Sequence, residues 1–256
     1  MKCTRSGMGI ALLLLSGCVH QGHLDKRAMI VVEKRGHAIH VKTNGRGLRL
    51  DTPFLIGSLT KQFTGVLCLE YLANFLDTEI TTLMIERDFE SVLKSVPDVD
   101  LWKKLEFCHF KGVTVKQLLT HSTEFDYSTG EKIAKFKYQN QNFDLLGRIL
   151  ESVTGRSYTN LSRELFKKAE MTHTYFHSDF TRAQLAEKLG CVEICFDSLT
   201  ETMNPSGGIV STARDLLKWN DFLVKNDYFE RLTVKRIITP NAQKSRITSL
   251  TSMRFN

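Results

Sequence analysis

The stretch Phe54-Leu55-Ile56-Gly57-Ser58-Leu59-Thr60-Lys61-Gln62-Phe63-Thr64-Gly65 decides how this 256-residue chain is read. From Leu59 to Leu76 the pattern is helical and apolar on almost every side. Phe63, Val66, Leu67, Leu69, Leu72, Phe75 and Leu76 leave only Lys61 and Glu70 charged. A helix with no polar face is buried inside a domain rather than laid on its surface. Ser58 and Lys61 stand three residues apart at its start, so their side chains share a face with Cβ atoms about 5–6 Å apart. The amine can then reach the hydroxyl. Burial disfavours the ammonium form, which lets the lysine accept a proton near neutral pH and activate the serine. The S-x-x-K pair serves acyl transfer with the serine as nucleophile.

As a bare pattern S-x-x-K is weak, and Ser91-Val92-Leu93-Lys94 satisfies it too. Context separates them. Ser58 follows a glycine at the start of a buried helix, where free amides and the helix dipole favour an oxyanion. Ser91 lies in a charged stretch with Glu86, Arg87, Asp88 and Glu90, and reads as a solvated face. Further along, Tyr138-Gln139-Asn140 precedes a helix expected over Asn142 to Val153 and ended by Gly155. A phenol there can project into a cleft. A nearby lysine cation would lower its pKa, making Tyr138 and Lys61 a shared proton relay, with Asn140 orienting substrate or Lys61. Tyr158-Thr159-Asn160 repeats the Y-x-N form inside another expected helix, Ser157 to Glu170, where packing explains it.

These segments together resemble a known family. Residues Phe54 to Gly65 resemble the nucleophile segment of class C β-lactamases and the related D-alanyl-D-alanine carboxypeptidases and esterases, within the serine β-lactamase and penicillin-binding-protein superfamily. Val115-Lys116-Gln117-Leu118-Leu119-Thr120-His121-Ser122 is similar to the family's "LLTH" segment. Tyr138-Gln139-Asn140 with Phe143-Asp144-Leu145-Leu146-Gly147 resembles its second motif and following helix. Ser206-Gly207-Gly208-Ile209-Val210-Ser211-Thr212-Ala213-Arg214-Asp215 matches a further landmark. The resemblance implies an α+β fold, with an antiparallel sheet packed on helices and a mainly helical subdomain. It also implies catalysis by Ser58, Lys61 and Tyr138, substrate binding by Asn140, no cofactor, and a Ser58 amide forming half of an oxyanion hole. His121 reads as a packed structural histidine. The expected substrates are peptidoglycan-type D-Ala-D-Ala peptides, β-lactams or small esters, the likeness covering residues 28 to about 240.

The sequence departs from the family in one respect that bears on activity. No K-T-G or H-x-G motif follows Gly208; Lys34-Arg35-Gly36 and Lys188-Leu189-Gly190 precede it, and His20-Gln21-Gly22 lies near the start. That motif's strand supplies the second oxyanion donor in the family, and losing one such donor costs about 2.7–4 kcal/mol. The late sheet strands are therefore expected to be missing. The alternative to a working hydrolase is a shortened, inactive relic or a non-catalytic binder of cell-wall peptide. Glu124 stands where a glycine is usual after the "LLTH" segment.

The start of the chain reads as an export leader over residues 1–17. Lys2 and Arg5 precede an apolar run, Gly7 to Leu15, too short to span a bilayer, which takes about 20 residues. It ends in Leu15-Ser16-Gly17-Cys18, which resembles a lipobox and implies cleavage before Cys18 and its lipidation. A tether over 18–27 then leads to one domain over 28–240 and an irregular tail over 241–256. The expected place is the periplasmic side of a bacterial envelope, as a lipid-anchored monomer. The formal charge of +7 falls by two with the leader. An exported basic chain meets anionic wall, lipid or carboxylate substrates rather than nucleic acid. No C-x-x-C pair or histidine-rich set accompanies the cysteines, so no metal is expected. Cys191 and Cys195 could bridge on a turn or helix, but on one straight strand they would lie roughly 13 Å apart. Buried free thiols are the default, Cys68 above all.

Overall fold

The structure, a computed structural model, describes residues 28–34, 37–44, 48–84, 110–124, 126, 136–189, 204–228 and 231. Strands β1 (Ala28–Lys34) and β2 (His37–Asn44) form an antiparallel hairpin with Val31 opposite Val41 and a register shift between Val32 and Glu33. Strand β3 (Pro53–Leu55) runs through a 3-10 turn, Gly57–Leu59, into helix α1 (Thr60–Tyr71). After it come α2 (Val115–Leu119), α3 (Asn140–Thr154), α4 (Tyr158–Lys168), β4 (Tyr175–Phe176) and α5 (Arg182–Leu189). A single helical turn α6 (Asn204–Gly207), strand β5 (Ile209–Thr212) and helix α7 (Ala213–Lys225) follow. A second antiparallel sheet has the order β3-β5-β4, with Phe54 opposite Ser211 and Tyr175 opposite Val210.

Helix α1 lies at the centre, as its sequence demands. Phe63, Val66, Leu67, Cys68 and Leu69 are all buried. Phe63 stacks on Trp219 of α7 at 4.1 Å between ring centroids and meets Phe166 of α4 edge-on at 5.5 Å. Among the few polar groups inside, Thr64 is bridged. Its Oγ1 donates to the Pro205 carbonyl at 2.7 Å and lies 2.7 Å from the Tyr158 hydroxyl. Buried hydroxyls cost free energy unless paired in this way. Helix α1 thus touches α3, α4 and α6 together, which fixes the turn Asn204–Gly207 beside the helix start.

Helix ends follow local chemistry. Thr114 and Gln117 form a reciprocal capping box at α2, and Ser157 accepts from the Asn160 amide at the start of α4. Gly155 ends α3 with φ +66°, a left-handed conformation that glycine adopts at little cost. Thr212 caps α7 by accepting from the Asp215 amide at 3.2 Å.

The α+β reading holds, and one local expectation is corrected. Helix α1 stops at Tyr71, not Leu76. Leu72 closes it, and two tight turns, Phe75 N–H to Leu72 O and Thr78 N–H to Phe75 O, carry the chain on. Leu76 is buried in these turns, so apolar burial outruns the helix. Residues Asn204–Gly207 form one helical turn. Residues Ile209–Thr212 form the central strand of the second sheet, and the helix that follows starts at Ala213. All four strand residues are buried, so they show no in–out alternation to read. Cys68 is a buried free thiol, as expected. Cys18, Cys191, Cys195, Ser91 and Lys94 lie outside the described residues, as do the leader, the tether and the tail. Among the described residues no helix is long and apolar enough to cross a membrane.

Candidate active site

The turn before α1 presents Ser58. Gly57 adopts φ +51°, with open space where a Cβ would stand, and the chain bends so that Ser58 is exposed while Thr60 and Lys61 point inward. Lys61 is 2% exposed and sits among three acceptors. Its Nζ lies 2.7 Å from the Ser206 carbonyl, 2.8 Å from Asn140 Oδ1 and 3.3 Å from Ser58 Oγ. An ammonium supplies three donors, one for each. A neutral amine keeps two donors and one lone pair. The carbonyl and the amide oxygen accept only, so loss of a proton leaves the lone pair for Ser58. Burial lowers the Lys61 pKa to about 8, opposed by the charge of Asp144.

Tyr138 completes the set. Its hydroxyl donates to Ser58 Oγ at 2.6 Å, and its ring lies 4.9 Å from Lys61 Nζ. The expectation that the lysine would lower the phenol's pKa is overturned. Burial raises it, the Ser58 hydrogen bond lowers it in part, and the Asp144 charge raises it again. Tyr138 is therefore a neutral phenol around neutral pH, whereas the Lys61 amine can shed its proton there.

The loop that carries Tyr138 is held from behind by His121, which is fully buried. Its Nδ1 accepts from the Gln139 amide at 3.2 Å and from Asn142 Nδ2 at 3.1 Å, and its ring lies 4.7 Å from that of Tyr138. Burial, then the Lys61 charge, lowers its pKa to about 3, so it is neutral. Its contacts are with Tyr138, Phe143, Gln139 and Asn142. It is a brace. His121 and Glu124 both adopt positive φ, +53° and +63°. Glu124 thus holds the left-handed backbone that suits the glycine usual there.

The four site residues read from the sequence are brought together from the turn before α1, from α1, from the loop before α3 and from the first residue of α3. The second Y-x-N is not part of the group. Tyr158 is buried against Phe176 and held by Thr64. Two contributors were missed. The Ser206 carbonyl is a backbone group, which sequence spacing cannot reveal. Asp144 sits one helical turn after Asn140, a spacing that could have flagged it. Gly208 packs closely behind the turn: a Cβ there would come within 2.4 Å of Asn204 Oδ1 and 2.8 Å of His177 Nδ1. Among the described residues no cluster suits a metal ion.

A protein-family model described as Beta-lactamase matches residues 26–252. The Staphylococcus aureus protein flp is 37% identical over 62 residues, which cover 24% of this chain and 12% of that protein. An octameric penicillin-binding protein homologue from Pyrococcus abyssi superposes with a TM-score of 0.50 at 19% identity, covering 75% of this chain and 51% of that one. A presumed β-lactamase from Bacteroides dorei gives a TM-score of 0.52 at 15% identity, covering 88% and 64%. The chain spans between about half and two thirds of these solved chains. At such identities the likeness is one of fold.

Proposed function

The chain belongs to the β-lactamase family, whose fold is that of serine hydrolases, and on that footing we propose that it forms an acyl-enzyme on Ser58. The observation that carries this reading is an exposed serine hydroxyl within 3.3 Å of a buried amine and 2.6 Å of a phenol. In the first step the Ser58 Oγ–C bond forms as the hydroxyl proton passes to Lys61 Nζ. The carbonyl electron pair moves onto oxygen, where the Ser58 amide at the helix start stabilises it. Collapse of this intermediate breaks the bond to the leaving group, which takes a proton delivered through Tyr138. Water then attacks the acyl carbon as its proton passes to neutral Lys61, and the bond to Ser58 Oγ breaks as Oγ takes that proton back. Asn140 keeps Lys61 in place throughout and turns its amide towards substrate.

The substrates that fit are D-Ala-D-Ala peptides of peptidoglycan, β-lactams and small esters. All are acyl donors, and a basic chain suits the carboxylates that the first two carry. Export and a lipid anchor at Cys18 belong to the same proposal, supported by the order Leu15-Ser16-Gly17-Cys18 after an apolar run.

The test is hydrolysis of a chromogenic cephalosporin and a nitrophenyl ester by the parent, Ser58→Ala and Lys61→Ala. Turnover by the parent that is lost in both variants supports the reading. Equal turnover by the parent and Ser58→Ala overturns it.

A further inference from the structure

Asp144 lies on α3, is 3% exposed, and is four residues from Asn140. Its carboxylate accepts a hydrogen bond from the Ser206 side chain, and the Ser206 carbonyl accepts from Lys61 Nζ at 2.7 Å. One residue of α6 therefore joins the acid to the amine through its two ends. The other carboxylate oxygen, Oδ1, is buried without a hydrogen-bond partner among the described residues, an arrangement that costs free energy in any fold. The turn itself is wedged in place. Pro205 rests where a Cβ on Gly147 would come within 2.3 Å of its Cγ, and the Pro205 carbonyl is held by Thr64 at 2.7 Å.

We propose that Asp144 is a positioning residue of this site, holding the Lys61 amine within reach of Ser58 through the Ser206 turn. The proposal rests on the acyl-transfer reading above and adds a residue to it. Asp144 is faced by Lys61 from α1, Arg148 from its own helix, Tyr138 from the preceding loop, Tyr158 from α4 and Ser206 from α6. Burial pushes its carboxyl up to about 7, and the Ser206 hydrogen bond, Lys61 and Arg148 act against that rise. Its charge in turn raises the Lys61 pKa against the effect of burial. Removing the charge should lower the pH at which Lys61 loses its proton. Removing the hydrogen-bonding group as well should let the turn relax.

Asp144→Asn keeps the shape and an acceptor for Ser206 but removes the charge; Asp144→Ala removes both. Two readouts are taken on each folded variant. One is the titration of Lys61 by nuclear magnetic resonance on protein with 13C-labelled lysine, its signal assigned by loss in Lys61→Met. The other is the rate of labelling by a fluorescent penicillin across pH. Asp144→Asn should lower the Lys61 midpoint by about half a pH unit or more, and the rise of labelling with pH should move with it. Asp144→Ala should also slow labelling on the plateau by about tenfold or more. Plateau labelling unchanged in folded Asp144→Ala, or a Lys61 midpoint unchanged in both variants, overturns the proposal. The midpoint is read whether or not the parent takes label, so a parent that takes none counts against acyl transfer on Ser58 alone.

Discussion

Lys61 has lost most of its hydration, and on the proposed acyl-transfer reading this loss makes it the residue that takes the serine proton. With its pKa lowered from 10.5 to about 8, the amine is mainly charged at pH 7 and mainly neutral at pH 9. Only the neutral form accepts a proton, so acylation of Ser58 should rise about tenfold per pH unit below pH 8 and level off above it. The rate of labelling by a penicillin, measured from pH 6 to pH 9.5, checks this; a rate that falls over that range contradicts it. Tyr138 is neutral through the same range. Replacing it by phenylalanine removes the 2.6 Å hydrogen bond and the proton donor, and should slow acylation by about 10²-fold or more without moving the pH limb. Spacing alone exposed Ser58 and Lys61, because a period of three on a helix is a geometric fact. The direction of the Tyr138 shift was not legible. A neighbouring cation argues for a lower pKa, burial argues for a higher one, and burial appears only when the chain is folded.

At the scale of elements, the connection from α2 to α3 and the turn α6 place the site. His121 braces the first as a neutral ring. Its folded pKa of about 3 lies below its ordinary value of 6.5, so between these values the unfolded chain binds a proton that the folded chain does not. Stability contributed by neutral His121 is therefore present above about pH 6.5 and is lost as pH falls towards 3. Urea midpoints at pH 7 and pH 4.5 should drop further in the parent than in His121→Gln. The second element is tested by Gly208→Ala. Its Cβ would press on the Asn204 backbone at 2.8 Å, which no rotamer change relieves. We expect a loss of about 1–3 kcal/mol in stability together with displacement of the Ser206 carbonyl and slower acylation. A stable variant that is acylated at the parent's rate would show that the turn need not be held so closely. Helix α3 was legible from its period of 3.6 and its terminal glycine. Strand β5 was not, because a strand buried on both faces carries no alternation.

Across the whole molecule, four ordered segments identified the family before any contact was known, and the match over residues 26–252 bears that out. What they could not supply was the arrangement of α1, α3 and α6 around Lys61, since those contacts join residues as far apart as Lys61 and Ser206. At this scale the leader reading makes its own prediction. Cells expressing the full chain and fed radiolabelled palmitate should yield labelled protein, and Cys18→Ser should abolish the label; label that survives in Cys18→Ser refutes the anchor. The central claim is that Ser58 is an acylated nucleophile. The measurement that tests it most directly is covalent trapping with a fluorescent penicillin, using protein that lacks residues 1–17 beside its Ser58→Ala variant. We expect stable label on the parent, mapped by mass spectrometry to the peptide carrying Ser58, and none on the variant. Equal labelling of both, or none on a folded parent, would contradict acylation of Ser58 by β-lactams.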